Sequence, residues 1–183
     1  MTREGPQLID IGLTAAAVIV PIYRSAGGDV RMILVQRSDG GIHGGQVAFP
    51  GGKREPGDPS LLATAIRETW EEIGLRVNPE DMLAQLPVEV TNTTGFQITP
   101  FLCRVTPPLH WRIDKQEIAD LLDVSLDELL AQWAMAATFP VSSSGERKEV
   151  HPRYRLGCYT VWGATYRILH PLLGRIGRGE LVL

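Results

Sequence analysis

Residues 51–75, GGKREPGDPSLLATAIRETWEEIGL, decide the fold, because they join a glycine-rich polar loop to the best helix of the chain. Apolar residues recur in 61–73 with the spacing of an amphipathic helix. Asp58 or Ser60 can cap its first turn, and Gly74 suits the position just after a helix ends. The stretch therefore predicts one well-defined helix that follows directly on a loop.

Three glutamates crowd one side of this predicted helix. At about 100° per residue, Glu68, Glu71 and Glu72 fall within an arc of about 100°, and like charges so close repel one another. A hard divalent cation removes the repulsion, because Mg²⁺ prefers oxygen ligands. Arg67 precedes Glu71 by one helical turn and can hold its carboxylate in place. From the helix alone, a solvated surface without a metal is the alternative.

The rest of the chain predicts a mixture of strands and helices. Strands are predicted at 13–23, 30–36, 83–90 and 96–105, and helices at 124–129 and 162–173. Gly27, Gly28 and Asp29 separate the first two strands and predict a hairpin turn. The buried side of the carboxylate helix is predicted to consist of Leu62, Ala65, Ile66, Thr69 and Ile73. These elements predict an α/β or α+β fold, with residues 1–183 in a single domain.

Composition and charge argue against a nucleic-acid or membrane partner. Apolar residues make up 44% of the chain and the formal net charge is −3, which gives no indication of a polyanion-binding surface. The apolar run at 13–23 has only eleven residues, too few to span a bilayer. Cys103 and Cys158 form neither a disulfide framework nor a CxxC motif, so we expect a reduced, cytoplasmic setting. The oligomeric state stays open, with a homodimer as one alternative.

The loop and helix resemble the Nudix box, a pattern of glycine, acidic, Arg-Glu, Glu-Glu, glycine and aliphatic residues. The matching positions are Gly52, Arg67, Glu68, Glu71, Glu72, Gly74 and Leu75. The resemblance implies a mixed sheet between helices in an α/β/α sandwich, Mg²⁺ or Mn²⁺ as cofactor, and hydrolysis of a nucleoside diphosphate linked to another group. Two features differ from the general box: Thr69 replaces an aliphatic residue, and eight residues instead of seven separate Asp58 from Arg67.

The longer spacing after Asp58 is itself a feature of one Nudix subgroup, the coenzyme A diphosphatases. Further segments resemble that subgroup, namely 34–38 (LVQRS), 43–52 (HGGQVAFPGG), 95–101 (GFQITPF), an acidic-to-aliphatic helical region at 114–130 and a final helix at 161–169. The resemblance implies that coenzyme A or an acyl-CoA is cleaved to 3′,5′-ADP and 4′-phosphopantetheine or its acyl form. However, residues 39–42 are shorter than the corresponding subgroup segment and lack its arginine. ADP-ribose, dinucleotides and nucleoside triphosphates therefore remain alternative substrates.

The metal-binding and catalytic candidates lie on or near the carboxylate helix. The expected metal ligands are the Gly52 carbonyl and the carboxylates of Glu68, Glu71 and Glu72. The expected catalytic residues are Glu68, Glu71, Arg67 and, as a distal general base, Glu117. An ordinary surface acid is the alternative for Glu117. A nucleotide-binding module without catalysis is also open, although the complete set of glutamates argues against it.

The substrate-binding candidates flank this cluster in the sequence, and they are Arg37, His43, Gln46, Lys53 and Arg54. The cations among them can neutralise phosphate charge, with ordinary solvated side chains as the alternative. For His43 the alternative is a role in stabilising the loop. A small nucleotide diphosphate is thus the expected partner.

Overall fold

The computed structural model of this chain describes residues 12–39, 44–91, 94–136, 152–181 and 183. Within them, eight strands form one mixed sheet: β1 (Thr14–Arg24), β2 (Val30–Arg37), β3 (Val47–Ala48), β4 (Gly51–Lys53), β5 (Met82–Gln85), β6 (Glu89–Thr91), β7 (Phe96–Arg104) and β8 (Ile118–Ser125). Strands β9 (Tyr154–Leu156) and β10 (Tyr159–Val161) form a separate hairpin. The helices are α1 (Leu61–Ile73), α2 (Leu126–Ala136) and α3 (Gly163–Gly177), with one 3₁₀ turn at Pro79–Asp81.

Strand β1 is the centre of the sheet. Along one edge it pairs in parallel with β7, and along the other it pairs antiparallel with β4 near its start and with β2 near its end. Strand β2 also pairs with β3 and β8, whereas β7 also pairs with β5 and β6. Gly28 has a φ of 90° in the turn between β1 and β2, so the predicted hairpin is confirmed.

Alternate residues of β1 point to opposite faces of the sheet, and each face carries its own core. Ala17 and Ile19 pack in the core beneath α1, whereas Val20 and Ile22 pack in the core beneath α2 and α3. The predicted mixed sheet between helices is therefore confirmed. No helix in the part of the chain that the structure describes combines the length and apolar character needed to cross a membrane.

The segment predicted as one strand at 83–90 is in fact two strands, β5 and β6. Pro87 lies between them and has no N–H to donate to a neighbouring strand. Both strands pair antiparallel with β7, at different positions along it. Pro87 thus divides the predicted strand into two, and both parts still pair with β7.

The region 114–130, expected to be helical, instead contains strand β8. This strand pairs antiparallel with β2 over most of its length, which satisfies backbone groups that a helix would have bonded internally. Its residues Ile118, Leu122 and Val124 are buried. The helix predicted at 124–129 begins only at Leu126 and continues to Ala136.

The last helix is longer than predicted, and nothing in the sequence predicted the hairpin of β9 and β10. Helix α3 continues past Gly174, its expected end, to Gly177. Both glycines lie against Trp133 of α2, and a Cβ at position 177 would come within 2.8 Å of its ring. These glycines allow close packing of two helices.

Candidate active site

Helix α1, which carries the glutamates, has the ends that its sequence predicts. The Ser60 hydroxyl accepts a hydrogen bond from the Ala63 N–H at 3.1 Å, so Ser60 and not Asp58 is the cap. Gly74 has a φ of 68°, and its N–H donates to the carbonyl of Trp70 at 3.0 Å. These local contacts fix where the helix begins and ends, and hence which way its side chains point.

Asp58 anchors the loop to the helix. Its carboxylate is only 8% exposed and accepts hydrogen bonds from the Glu55 N–H and the Thr64 hydroxyl, both at 2.9 Å. It also accepts two bonds from Arg67, at 3.0 Å from Nε and 2.9 Å from Nη2. The bonds from Arg67 are the largest reason why the pKa of Asp58 lies well below its usual range. Although the loop between Asp58 and Arg67 is one residue longer than in the general Nudix box, the two side chains are still in contact.

Arg67 links this anchor to two of the glutamates. Its Nη1 lies 3.0 Å from a carboxylate oxygen of Glu68 and 3.0 Å from one of Glu71. The contact with Glu71 is the one that a spacing of one helical turn predicts. One guanidinium thus orients Glu68 and Glu71 while Asp58 holds it in place.

Glu72 is buried, which contradicts the interpretation of these glutamates as a solvated helix face. Its side chain is 2% exposed and accepts a hydrogen bond from the Gly51 N–H at 2.9 Å. Burial raises its pKa to about 8, although the bond from Gly51 and the charge of Arg37, whose Nη1 is 3.6 Å away, act in the opposite direction. Strand β4 covers this side of α1, so Glu72 belongs to the buried face, whereas Leu62 and Ile66 are only half-buried.

Glu68 and Glu117 add to the negative charge around Glu72. Burial raises the pKa of Glu68, and the charges of Glu71 and Glu117 raise it further. The charge of Glu117 also raises the pKa of Glu72. The fold thus brings Glu117, distant in sequence, into the electrostatic field of the helix carboxylates. Glu71 is the most accessible of the helix glutamates, with 55% of its side chain exposed.

The Glu68 carboxylate lies directly against the backbone of Gly52. Gly52 sits opposite Ala17 in the pairing of β4 with β1, and a Cβ at position 52 would come within 2.5 Å of the Glu68 carboxyl carbon. Only a residue without a side chain leaves this space to the carboxylate. The predicted metal ligands Gly52 and Glu68 are therefore adjacent.

The oxygen donors of this cluster fit a hard divalent cation such as Mg²⁺ or Mn²⁺. They are carboxylates and a backbone carbonyl, and their mutual repulsion favours a cation. Across the described ranges, however, no three His, Cys, Asp or Glu side chains converge on a point that could hold a metal ion. A cation bound here would therefore take further ligands from water and substrate phosphate, as Mg²⁺ usually does.

The predicted substrate-binding residues divide into those near the glutamates and those directed elsewhere. Arg37 approaches Glu72, and its N–H donates to the carbonyl of Gln46 at 2.9 Å. The Lys53 ammonium lies 5.4 Å from the ring centre of Phe96, and Arg54 donates to the carbonyl of Asp58 at 3.2 Å. His43 lies outside the described residues.

Sequence reasoning missed two residues of the site. Gly51 donates to Glu72 and has a φ of 144°, which favours glycine, and a Cβ there would come within 2.3 Å of the Ala17 carbonyl. The sequence predicted Asp58 as a helix cap or as the acidic position ahead of the box, but no contact between it and Arg67, and yet Asp58 is the main partner of Arg67. The two adjacent glycines at 51 and 52 could have predicted the contact between Gly51 and Glu72, because glycines allow the backbone of one segment to lie close to a neighbouring helix.

Comparison with known proteins agrees with this architecture. The family model described as NUDIX domain matches residues 13–141. A protein of Citrobacter koseri, described as an uncharacterized Nudix hydrolase NudL, is 34% identical over 163 residues, covering 88% of this chain and 82% of that protein. A Pectobacterium atrosepticum protein of the same description is 35% identical over 161 residues, covering 86% and 80%. The crystal structure of a MutT protein from Methanosarcina mazei Go1 superimposes with a TM-score of 0.57 at 19% identity, covering 93% and 98% of the two chains.

Proposed function

This chain belongs to the Nudix family of hydrolases, and we propose that within this family it cleaves the diphosphate linkage of coenzyme A or an acyl-CoA, with Mg²⁺ or Mn²⁺. The products would be 3′,5′-ADP and 4′-phosphopantetheine or its acyl form. The family accounts for the type of reaction. The choice of substrate is the more specific part of the proposal and rests on the segments around Arg37 and Gln46.

One observation carries the choice of substrate. Two segments resemble the coenzyme A subgroup, 34–38 and 43–52, and their described residues meet at Arg37, which donates a backbone hydrogen bond to Gln46 and accepts one from Gly45, both at 2.9 Å. The same Arg37 places its guanidinium 3.6 Å from Glu72. A guanidinium at the edge of a carboxylate cluster is suited to hold a substrate phosphate beside the reacting groups.

The residues of the chain have distinct tasks in this reaction. Glu68, Glu71, Glu72 and the Gly52 carbonyl would supply ligands to two or three cations, whose remaining ligands would be water and substrate phosphate, and Arg67 keeps two of these carboxylates in position. When bound, the cation supplies charge neutralisation for phosphate oxygens and lowers the pKa of the attacking water. Glu117 or a carboxylate of the cluster accepts the proton from that water. The water oxygen bonds to phosphorus, the bridging P–O bond breaks, and the second phosphate leaves.

A second class of substrate follows from residues 39–42. This segment is short and lacks the arginine of the coenzyme A subgroup. A charged hydrogen bond contributes about 1.5–3 kcal/mol, so its loss costs about tenfold to more than a hundredfold in affinity. That loss is large enough to reverse a preference, which makes ADP-ribose, dinucleotides and nucleoside triphosphates the competing substrates.

A product screen tests the proposal. The purified protein is incubated with Mg²⁺ and coenzyme A, ADP-ribose, NADH or dinucleoside polyphosphates, with an EDTA control for each substrate. We expect the highest kcat/KM for coenzyme A, and no turnover in EDTA. Faster cleavage of ADP-ribose would assign the protein to the competing class. Full activity after exhaustive chelation would exclude the metal-dependent reaction.

A comparison of coenzyme A with 3′-dephospho-coenzyme A tests which phosphate is recognised. If a cation such as Arg37 or Arg54 takes over the role of the missing arginine, the 3′-phosphate should raise kcat/KM. The substitutions Arg37→Gln and Arg54→Gln should then reduce the difference in kcat/KM between coenzyme A and 3′-dephospho-coenzyme A. Equal rates for both substrates in the unsubstituted protein would show that the 3′-phosphate is not recognised.

A further inference from the structure

A groove lies against the flank of α1 that faces away from Glu68. It has a volume of about 440 Å³, in the range of small-molecule sites, and it is lined by Trp70, Gly74, Arg76, Thr106, Pro107, Pro108, His110 and Arg112. At about 100° per residue, Trp70 points about 200° away from Glu68 around the helix axis. The residues that line the groove include none of the predicted metal ligands Gly52, Glu68, Glu71 and Glu72.

The groove carries positive charge without a matching acid. The guanidinium groups of Arg76 and Arg112 lie 5.1 Å and 4.6 Å from the ring centre of Trp70. Neither arginine forms an ion pair with another described residue, and none of the eight lining residues is acidic. Stacking on an aromatic ring uses the face of a guanidinium and leaves its N–H edge available. Two such edges on a protein of net charge −3 form a local site for an anion.

The backbone holds Arg112 in this position. The Arg112 N–H donates to the carbonyl of Ile73 at 3.3 Å, and the Asp114 N–H donates to the carbonyl of Glu72 at 2.8 Å. Arg112 also packs on Gly74, where a Cβ would come within 2.8 Å of the Arg112 Cβ. The backbone of the segment that ends the groove is therefore fixed to the end of α1, and less backbone freedom remains to be lost when a ligand binds.

We propose that this groove is a second binding site, for a phosphorylated small molecule of the nucleotide class. Each guanidinium can donate two N–H bonds to phosphate oxygens, and Pro107 and Pro108 supply half-buried apolar surface for a base or sugar. His110, exposed at the rim, adds a further donor. This proposal does not depend on which substrate the carboxylate cluster cleaves.

Binding of ADP in EDTA tests the site without turnover. The full chain is titrated with ADP by calorimetry, and the indole N–H signal of Trp70, assigned with Trp70→Phe, is followed by NMR. We expect ADP to shift that signal and adenosine, which lacks phosphate, to bind far more weakly. No binding at millimolar ADP, or equal binding of adenosine, would overturn the proposal.

Charge-neutral variants locate the binding. Loss of two charged hydrogen bonds predicts that the double variant Arg76→Gln and Arg112→Gln raises the Kd for ADP at least about tenfold. Arg153→Gln, which removes an exposed arginine elsewhere, and Arg37→Gln, which removes the cation beside Glu72, should leave this Kd unchanged. Since both groove arginines are exposed, circular dichroism should show an intact fold in the double variant. An unchanged Kd in the folded double variant, or weaker binding in Arg37→Gln alone, would assign ADP to the candidate active site instead.

Discussion

Asp58 and Arg67 are joined by two hydrogen bonds, from Nε to Oδ1 at 3.0 Å and from Nη2 to Oδ2 at 2.9 Å. The same guanidinium contacts Glu68 and Glu71, so the loop before α1 is coupled to the carboxylates through one side chain. A two-point ion pair fixes the orientation of a guanidinium better than a single contact does. Asp58 is thus a positioning residue for the candidate active site.

Asp58→Asn should lower both activity and stability. The substitution removes the charge that holds Arg67, so we expect kcat to fall by about tenfold or more, because small misplacements of catalytic groups are costly. Asp58 has a pKa below its ordinary value of 3.8, so it stabilises the folded state above that pH and loses this effect as pH falls. The gap in unfolding free energy between the two proteins should therefore shrink in acid.

Urea unfolding at several pH values measures that gap. Asp29→Asn is the matched control, because Asp29 lies exposed in the turn between β1 and β2, far from Arg67 in the sequence and outside the loop and helix that form the candidate site. The ion pair would not explain the loss of stability if the difference in unfolding free energy between Asp58→Asn and the unsubstituted protein stayed constant with pH.

The ends of α1 could be predicted because they depend on neighbouring residues. Ser60 and Gly74 act within a few residues of their own positions. The burial of Glu72 could not be predicted in this way, because strand β4 and the Gly51 N–H cover it only once the sheet has formed. On a helical wheel, Glu72 lies beside the apolar sector and looks like part of the polar face.

Strand β8 could not be predicted from neighbouring residues either. In IADLLDVS, apolar residues at 118, 121 and 122 suit a helix as well as a strand. Pairing with β2, which lies far away in the sequence, decides between the two. The proximity of Glu117 to the glutamates of α1 follows from that pairing, since Glu117 directly precedes β8 and its carbonyl accepts from the Ser38 N–H at 2.8 Å.

Gly52→Ala should lower activity with little loss of stability. The new Cβ would come within 2.5 Å of the Glu68 carboxyl carbon, and the flexible end of that side chain must move aside. Displacing a metal-binding carboxylate by about 1 Å can cost about a hundredfold in rate. We expect kcat to fall by about tenfold to a hundredfold while the thermal midpoint stays near that of the unsubstituted protein.

Gly51→Ala is the matched comparison for this effect. Its Cβ would come within 2.3 Å of the Ala17 carbonyl, which is backbone and cannot move aside cheaply, and its φ of 144° is strained for alanine. This variant should unfold more easily. If Gly52→Ala lost as much stability as Gly51→Ala, or kept full kcat, the contact with Glu68 would not be important for catalysis.

Glu71→Gln and Glu72→Gln should each lower kcat by at least about a hundredfold. Each substitution keeps the shape of the side chain and removes one charge from the proposed cation site. Raising the Mg²⁺ or Mn²⁺ concentration should restore part of the activity if weaker metal binding is the cause. Near-normal turnover in both variants at ordinary Mg²⁺ concentrations would contradict the assignment of these glutamates.

Glu72 should also make the metal-free protein less stable as pH rises. Its pKa is about 8 in the folded protein against 4.5 for the free group, so the folded state binds the proton more tightly. The unfolding free energy should therefore fall between pH 4.5 and 8, by an amount of the order of a few kcal/mol. Urea unfolding in EDTA measures this slope.

Two variants separate Glu72 from the other glutamates in that experiment. Glu72→Gln should remove most of the slope, because glutamine can still accept from the Gly51 N–H without carrying charge. Glu71→Gln should leave it nearly intact, since Glu71 is mostly exposed. A slope that survives in Glu72→Gln would mean that another group titrates.

Thr69→Val should stabilise the protein. Thr69 is fully buried in α1, and its hydroxyl has no hydrogen-bond partner among the residues that the structure describes. An unsatisfied buried hydroxyl costs about 1–3 kcal/mol, and valine has nearly the same shape and helix propensity. We expect a gain of about 1 kcal/mol, which raises the thermal midpoint by about 2–4 °C in a chain of this size.

Thr64→Val is the matched control for Thr69→Val, because Thr64 is equally buried in the same helix. Its hydroxyl donates to Asp58 at 2.9 Å and lies 3.2 Å from the Ser60 carbonyl, so valine there leaves a buried carboxylate short of one donor. This variant should lose stability, by about 1–3 kcal/mol. Opposite signs for the two substitutions would show that hydrogen bonding, and not side-chain volume, separates the two sites. If both substitutions lowered the unfolding free energy, the Thr69 hydroxyl would have a hydrogen-bond partner in solution. Threonine would then suit this position as well as the aliphatic residue that the general Nudix box has there.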